Sequence, residues 1–537
     1  MDNSTSILMQ MKQLCLFFLL IMAPCFDQAL YATRAAHNQD NSTVTEKEEP
    51  VNKTYLTVKN VCIGLGAITL VAGSLYALCK HIPIPTIASH ASKGVAKKAI
   101  QLLPDFATLI DKSEAFARRV TPPTQANRIA AIAGSDQEKQ AIIVEQARTT
   151  YPILHAKVIT LIDGFLQYKK NNGTAVEKTL YSTMDSTAFI DRLLTKRPLM
   201  FMGSDDRYWL RDGQMGGVGG FEAIGTDQEK APLLLQNYLS YDEMQISALI
   251  GMATPTYFIN NGDRNNRGIP GPEGTYEQTG IYYGLVGARF EKRDKMESEH
   301  MLVTPDHTKE NGYGYTDTGR FAAWTDLYGR YFPTFEYVGN STSDRYINIS
   351  NSARGKCYFD ADVYKERMRL VIEPFLLDAQ LRGQQQNKKV YVHVVGLGLG
   401  VWQVADEQTK LMLDVYASII KEQKLDSIAD INFSWFTKPD NSPFANDQVI
   451  QRNGNTIKIH FSHRNPADKL TGQDEGKLLA ACYAWDGNAY PGNEYWVGML
   501  TASGDPAAAC CSTIPELQNP EINDRVAGRY ARVLGEE

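Results

Sequence analysis

The segment LLAACYAWDGNAYPGNEYWVGMLTASGDPAAACC sets three carboxylates, Asp486, Glu494 and Asp505, and the amide of Asn488 among aromatic residues, glycines and prolines. A chain bent that tightly can turn its acids toward one pocket. Cleavage of a glycosidic bond needs such a grouping: a carboxylate to hold a sugar hydroxyl or activate water, beside walls that exclude solvent. The same residue types also serve as turn and cap residues. Asp505-Pro506 before an alanine run has the pattern of a helix N-cap followed by proline.

A second segment, KKVYVHVVGLGLGVWQV, predicts a strand over Val390 to Val395 and a turn formed by Gly396, Gly398 and Gly400. Glycines let backbone N–H groups approach a phosphate, and a helix starting after the turn adds a favourable dipole. The spacing is G-x-G-x-G rather than the G-x-G-x-x-G of a dinucleotide fold, which counts against a nicotinamide-dependent oxidoreductase. A tight strand-to-helix connection would need the same glycines.

Further candidates lie in TPTYFINNGDRNNRG, where Asn260, Asn261, Asp263 and Arg264 follow an expected strand, and in the stretch after it. There Arg289 could meet a phosphate, and Tyr282, Tyr283 or Phe290 could stack on a base. His460 and His463 lack a third ligand, so no metal is expected. No G-x-S-x-G, P-loop or HExxH pattern occurs, and no cofactor is called for.

The elements that must position these residues follow from periodicity. Strands are expected at Leu199 to Met202, Thr256 to Ile259, Gly280 to Leu285, Val390 to Val395, Ile431 to Trp435 and Ile457 to Phe461. Helices are expected at Leu233 to Ile250, Asp362 to Arg382, Val404 to Lys424 and Gly476 to Tyr483. Their alternation predicts an α/β sheet covered on both faces. Residues 80–190, including Asn127 to Thr149 and Tyr151 to Tyr168, read as a helical region.

Ahead of that region lies a leader, residues 1–60, with an apolar run at Leu14 to Ala23. Val61 to Cys79 then forms an uncharged stretch of transmembrane length. Lysines after it favour a cytosolic C-terminal side, hence a membrane-anchored protein. The net charge of −6 argues against nucleic acid as a partner. Eight cysteines without a CxxC pair form neither a disulfide framework nor a zinc pattern.

The segments VHVVGLGLGVWQV, GARFEKRDKMESEHMLVTP and WDGNAYPGNEYW…SGDPAAACCS resemble the family of the bacterial effector MavL, which is similar to macrodomains of the poly(ADP-ribose) glycohydrolase kind. The resemblance covers roughly residues 195–530. It implies a macrodomain-like α/β/α sandwich with a mixed sheet over 195–537. It also implies hydrolysis of ADP-ribose from a modified protein, for which family members use arginine-linked ADP-ribosyl ubiquitin, and a secreted effector as one setting. Asp486, Glu494 and Asp505 would then be the acidic residues of the ligand loop, with Asn488 beside them. Gly396, Gly398 and Gly400 would bind the diphosphate. A module that binds ADP-ribose without cleaving it is the alternative.

Overall fold

The computed structural model describes residues 105–315, 319–452 and 454–536. The leader, the apolar run at Leu14 to Ala23 and the stretch Val61 to Cys79 lie outside them. Among the described residues no helix is long and apolar enough to cross a membrane.

A nine-stranded mixed sheet organises the chain. Its strands are β1 (Tyr151–His155), β2 (Gly251–Tyr257), β3 (Thr279–Val286), β4 (Val390–Val394), β5 (Ile428–Ser434), β6 (Val449–Arg452), β7 (Asn455–Ser462), β8 (Leu478–Trp485) and β9 (Arg532–Leu534). They run side by side in the order β6-β7-β5-β4-β8-β3-β2-β1-β9. The five strands from β7 to β3 are mutually parallel, so Ser462, Ser434, Val394, Trp485 and Val286 all end on one edge. After β4 the chain moves outward through β5 to β7, then returns to place β8 on β4's other flank. Open sheets of this kind bind ligands at the carboxyl ends of their strands, where the direction of winding changes.

Every residue of β4 is buried, as expected of an inner parallel strand covered on both faces. Successive side chains of a strand point to opposite faces, and Tyr282 and Tyr283 on β3 show what covers each. Tyr283 packs on Phe375 of the Ala361–Gln386 helix and donates a hydrogen bond to Asp378 Oδ2 at 2.8 Å. Tyr282 packs on Phe258 and Tyr483, whose hydroxyl reaches Gln518 beyond the Gly504–Cys511 helix. Helices therefore lie on both sides.

Several sequence expectations need correction. Gly476 to Tyr483, expected as a helix, is largely strand β8: its apolar run is buried on both faces, and such a run has no period to separate the two structures. Tyr151 to Tyr168 opens as strand β1, which pairs with β2 and β9, before the Ala156–Asn172 helix begins. Of Leu233 to Ile250 only Tyr241–Ser247 is helical, started by a capping box between Ser240 and Glu243. The helix expected from Val404 begins at Gln408, because Gln408 Oε1 instead takes the N–H groups of Val404 and Ala405.

Candidate active site

A cavity of about 980 Å³ opens at the carboxyl edge of the parallel strands. Its walls come from the segments following β3, β4, β5 and β8, together with residues 262–265. That volume suits a ligand of nucleotide size.

The acidic wall is built from the turn after β8. Asp486 Oδ1 accepts the N–H groups of Asn488 at 2.9 Å and Ala489 at 3.2 Å, an Asx turn that bends the chain sharply. Its Oδ2 accepts from Asn493 Nδ2 at 2.7 Å. Asn493 is itself clamped to the backbone N–H and carbonyl of Phe201. Both oxygens of Asp486 are thus aimed. Buried arginines hold the bend from behind. Arg289 donates to Asp486 O and Asn488 Oδ1, and Arg197 donates to Gly487 O while lying 4.4 Å over the Trp485 ring. Burial pulls Arg197 down to about 9, with Asp486 opposing.

Glu494 follows on a short 3-10 turn, with Ser503 Oγ 3.5 Å from its Oε2. Asp505 stands in the first turn of the Gly504–Cys511 helix, whose N-cap is Ser503 and not Asp505. Asp505 Oδ1 accepts from Gly492 N–H at 2.8 Å, while Oδ2 is sealed from solvent without a partner. All three carboxylates line the cavity. Burial, then the charge of Glu494, raises Asp486 to about 7. Burial also raises Glu494, and burial with both neighbouring acids pushes Asp505 well above the usual carboxylate range. Repulsion among these buried acids disfavours ionising all three together.

That strain has a measurable consequence. A carboxylate whose folded pKa lies above its unfolded value contributes full stability below about pH 4, which is lost as pH rises toward the folded value. Asp505→Asn keeps the acceptor for Gly492 and removes the ionisation that burial opposes. It is expected to stabilise the protein by about 1–2 kcal/mol at pH 8, with the gap closing toward pH 4. Thermal denaturation at both pH values checks this.

The opposite wall is the glycine turn. Gly398 has φ +71°, and a Cβ there would stand 2.8 Å from Ala288 O. A Cβ on Gly287 would meet Leu397 C at 2.4 Å. Only glycines let the loops after β3 and β4 touch backbone to backbone. Gly400 faces open space. Because the helix after the turn begins at Gln408, the turn itself offers backbone N–H groups without the adjoining helix N-terminus expected from sequence. Trp402 lines the same wall, its buried indole N–H without an acceptor.

Gly396, Gly398, Gly400, Asp486, Glu494 and Asp505 are therefore brought together, and Asn488 is not. Asn488 is absent from the lining because its amide oxygen binds Arg289 behind the bend. Arg289, expected near a phosphate, is fully buried against Glu297 at 2.9 Å. Tyr282 reaches the lining, but Tyr283 and Phe290 do not. Asp263 and Arg264 line the cavity as well. Asn260 and Asn261 instead brace their loop through Ile269 O and Asp468. His460 pairs with Asp430, and His463 packs on Trp435.

Sequence reasoning missed Glu291, Asn493 and Trp435. Asn493 was visible as the second amide of the WDGN segment. Trp435 is 62% exposed and holds φ +62°, rare for a bulky residue. It was the last residue of an expected strand, Ile431 to Trp435, whereas the observed strand ends at Ser434 and leaves Trp435 at the cavity rim.

The chain matches the family described as ADP-ribosylhydrolase MavL-like over residues 107–537. It is 35% identical over 397 residues to the ADP-ribosylarginine hydrolase CG2909 of Drosophila melanogaster, covering 72% of this chain and 78% of that protein. It is 37% identical over 407 residues to the ADP-ribosylarginine hydrolase CG3568 of the same organism, with the same coverage.

Proposed function

The chain belongs to the MavL-like ADP-ribosylhydrolase family, and on that premise we propose that it frees ADP-ribose from arginine side chains of a modified protein. The observation that carries this is the convergence of the glycine turn and three strained carboxylates on one cavity. Helices on both faces of a mixed sheet, with the cavity at the strands' carboxyl edge, support the macrodomain-like kind of α/β/α sandwich.

Adjacent strands lie about 4.8 Å apart, so the ends of β5 and β8, with β4 between them, stand roughly 10 Å apart. An extended ADP-ribose spans that row. Its pyrophosphate sits over Gly396 to Gly400, taking the backbone N–H groups, beside Trp402. Arg264, which has no ion-pair partner among the described residues, supplies the positive charge. Adenine lies toward Trp435 and Phe436, and the terminal ribose toward Asp486.

Asp486, poised near neutrality, takes a proton as water attacks the anomeric carbon. The C–N bond breaks, its electron pair stays on the guanidine nitrogen, and the proton passes to that neutral leaving group. Arginine is released as guanidinium, so charge balances. Asp505, whose Oδ2 is sealed from solvent, keeps its proton and so leaves Asp486 as the ionising base.

The direct test incubates the protein with an arginine-ADP-ribosylated protein, ubiquitin among the substrates, and measures free ADP-ribose by chromatography. No release would refute the proposal. Arg264→Ala and Trp435→Ala are each expected to raise KM about tenfold to a hundredfold, from loss of a charged phosphate contact and of stacking area, with smaller changes in kcat.

A further inference from the structure

A fourth carboxylate at the acidic end has no part in the hydrolysis described above. Glu291, exposed in the loop after β3, lines the cavity and makes no ion pair among the described residues. Its basic neighbours point elsewhere: Lys292 pairs with Asp206 and Glu222, and Arg293 with Asp306.

Contacts place Glu291 at the Asp486 end. Its Oε2 lies where a Cβ on Gly203 would fall, against the backbone just past Met202. Phe201, two residues before Gly203, is bonded to Asn493, which in turn holds Asp486. The charge of Glu291 is felt by both Asp486 and Glu494. It therefore sits between the buried acids and solvent.

The bond to be cleaved joins a buried ribose to a side chain entering from outside, so the leaving group must lie across this rim. A guanidinium there keeps free N–H groups on one edge, and a carboxylate takes two such bonds in parallel. A serine-linked substrate brings no charge to the same place, and an acidic side chain brings none that a carboxylate would favour. We propose that Glu291 is the specificity-determining residue for the leaving group, pairing with the substrate guanidinium and selecting arginine over serine or acidic linkages. This rests on the hydrolysis proposed above.

The test compares wild type, Glu291→Gln and Glu291→Asp on an arginine-ADP-ribosylated peptide, alongside calorimetry with free ADP-ribose, which carries no guanidinium. Glu291→Gln is expected to raise KM for the peptide about tenfold to thirtyfold, as loss of a charge-assisted pair should. Its affinity for free ADP-ribose should move less than about threefold, roughly the limit for a residue making no contact with that ligand. Glu291→Asp should recover part of the KM. Equal loss for both ligands, or no loss for either, in an active enzyme would overturn this inference alone. A wild type inactive on the peptide would overturn the parent proposal and this one with it.

Discussion

Asp486→Asn should lower kcat/KM on an arginine-linked substrate by about a thousandfold, the scale of losing a positioned general base. The amide retains an acceptor for Asn488 and Ala489, so the Asx turn persists. It cannot accept a proton, and its NH2 group opposes the donor Asn493 Nδ2, where the carboxylate accepted at 2.7 Å. The pH profile carries the sharper test. With Asp486 raised to about 7 by burial and then by Glu494, wild-type activity should climb as pH passes through neutrality and that group ionises. It should fall at higher pH as Asp505, held well above the usual carboxylate range, gives up its proton and adds a second buried charge beside Asp486. Stopped assays from pH 5 to 10 should show this bell, whose limbs belong to the coupled acids together. In Asp486→Asn the residual rate should lose the rise near 7. A variant retaining full activity would remove Asp486 from the mechanism.

Arg289→Met is expected to cost about 3–5 kcal/mol of folding stability, the scale of breaking into a buried ion cluster. Arg367 stays on Glu297, but the acceptors Arg289 served at Asp486, Asn488 and Met244 are left buried without it. Domains are commonly stable by about 5–15 kcal/mol, so the loss is a large share. Arg289 is fully buried and donates to Glu297, Asp486 O, Asn488 Oδ1 and Met244 O. Burial pushes Glu297 up, but Arg289 and Arg367 outweigh it and hold the carboxyl below its usual value. Stability from such a group is present above its unfolded pKa and lost as pH falls through the folded one. The gap between Arg289→Met and wild type should therefore be widest near neutrality and narrow below about pH 4. Denaturant titration at pH 7 and pH 4 measures both. The folded fraction should also turn over more slowly, since the Asp486 bend loses two of its supports.

The two variants probe one construction from opposite sides. Asp486 faces the cavity, and Arg289 holds it there through a backbone carbonyl and the side chain of Asn488. Asn488 shows why the distinction was hidden. In DGN the aspartate and asparagine are two residues apart and chemically alike as turn formers, so sequence could not say which faced ligand. The outcome depends on Arg289, nearly two hundred positions earlier, which β3 brings alongside β8.

Strand β8 teaches a related lesson. Its apolar run admits helix or strand, and the choice is made by β4 and β3, which supply parallel partners on each side. Strand β4 needed no such arbitration, since VYVHVV is rich in β-branched residues and ends in glycines. Trp435 and Glu291 went unremarked because one exposed aromatic and one acid among EKRD have no distinctive local pattern. Only their shared position at the cavity marks them.

Taken alone, the chain's own order of residues determined what depends on near neighbours: the β4 strand and its glycine turn, the bent acidic segment, and the family, which rests on long runs of matching residues. Tertiary structure decided what depends on distant partners. The winding of the sheet sets the glycine turn and the acidic bend on adjacent strand ends, buries the acids until their charges conflict, and turns Arg289 and Asn488 inward as supports. The physical reason is that strand pairing and burial are long-range and cooperative, whereas turns and periodicity are settled within a few residues.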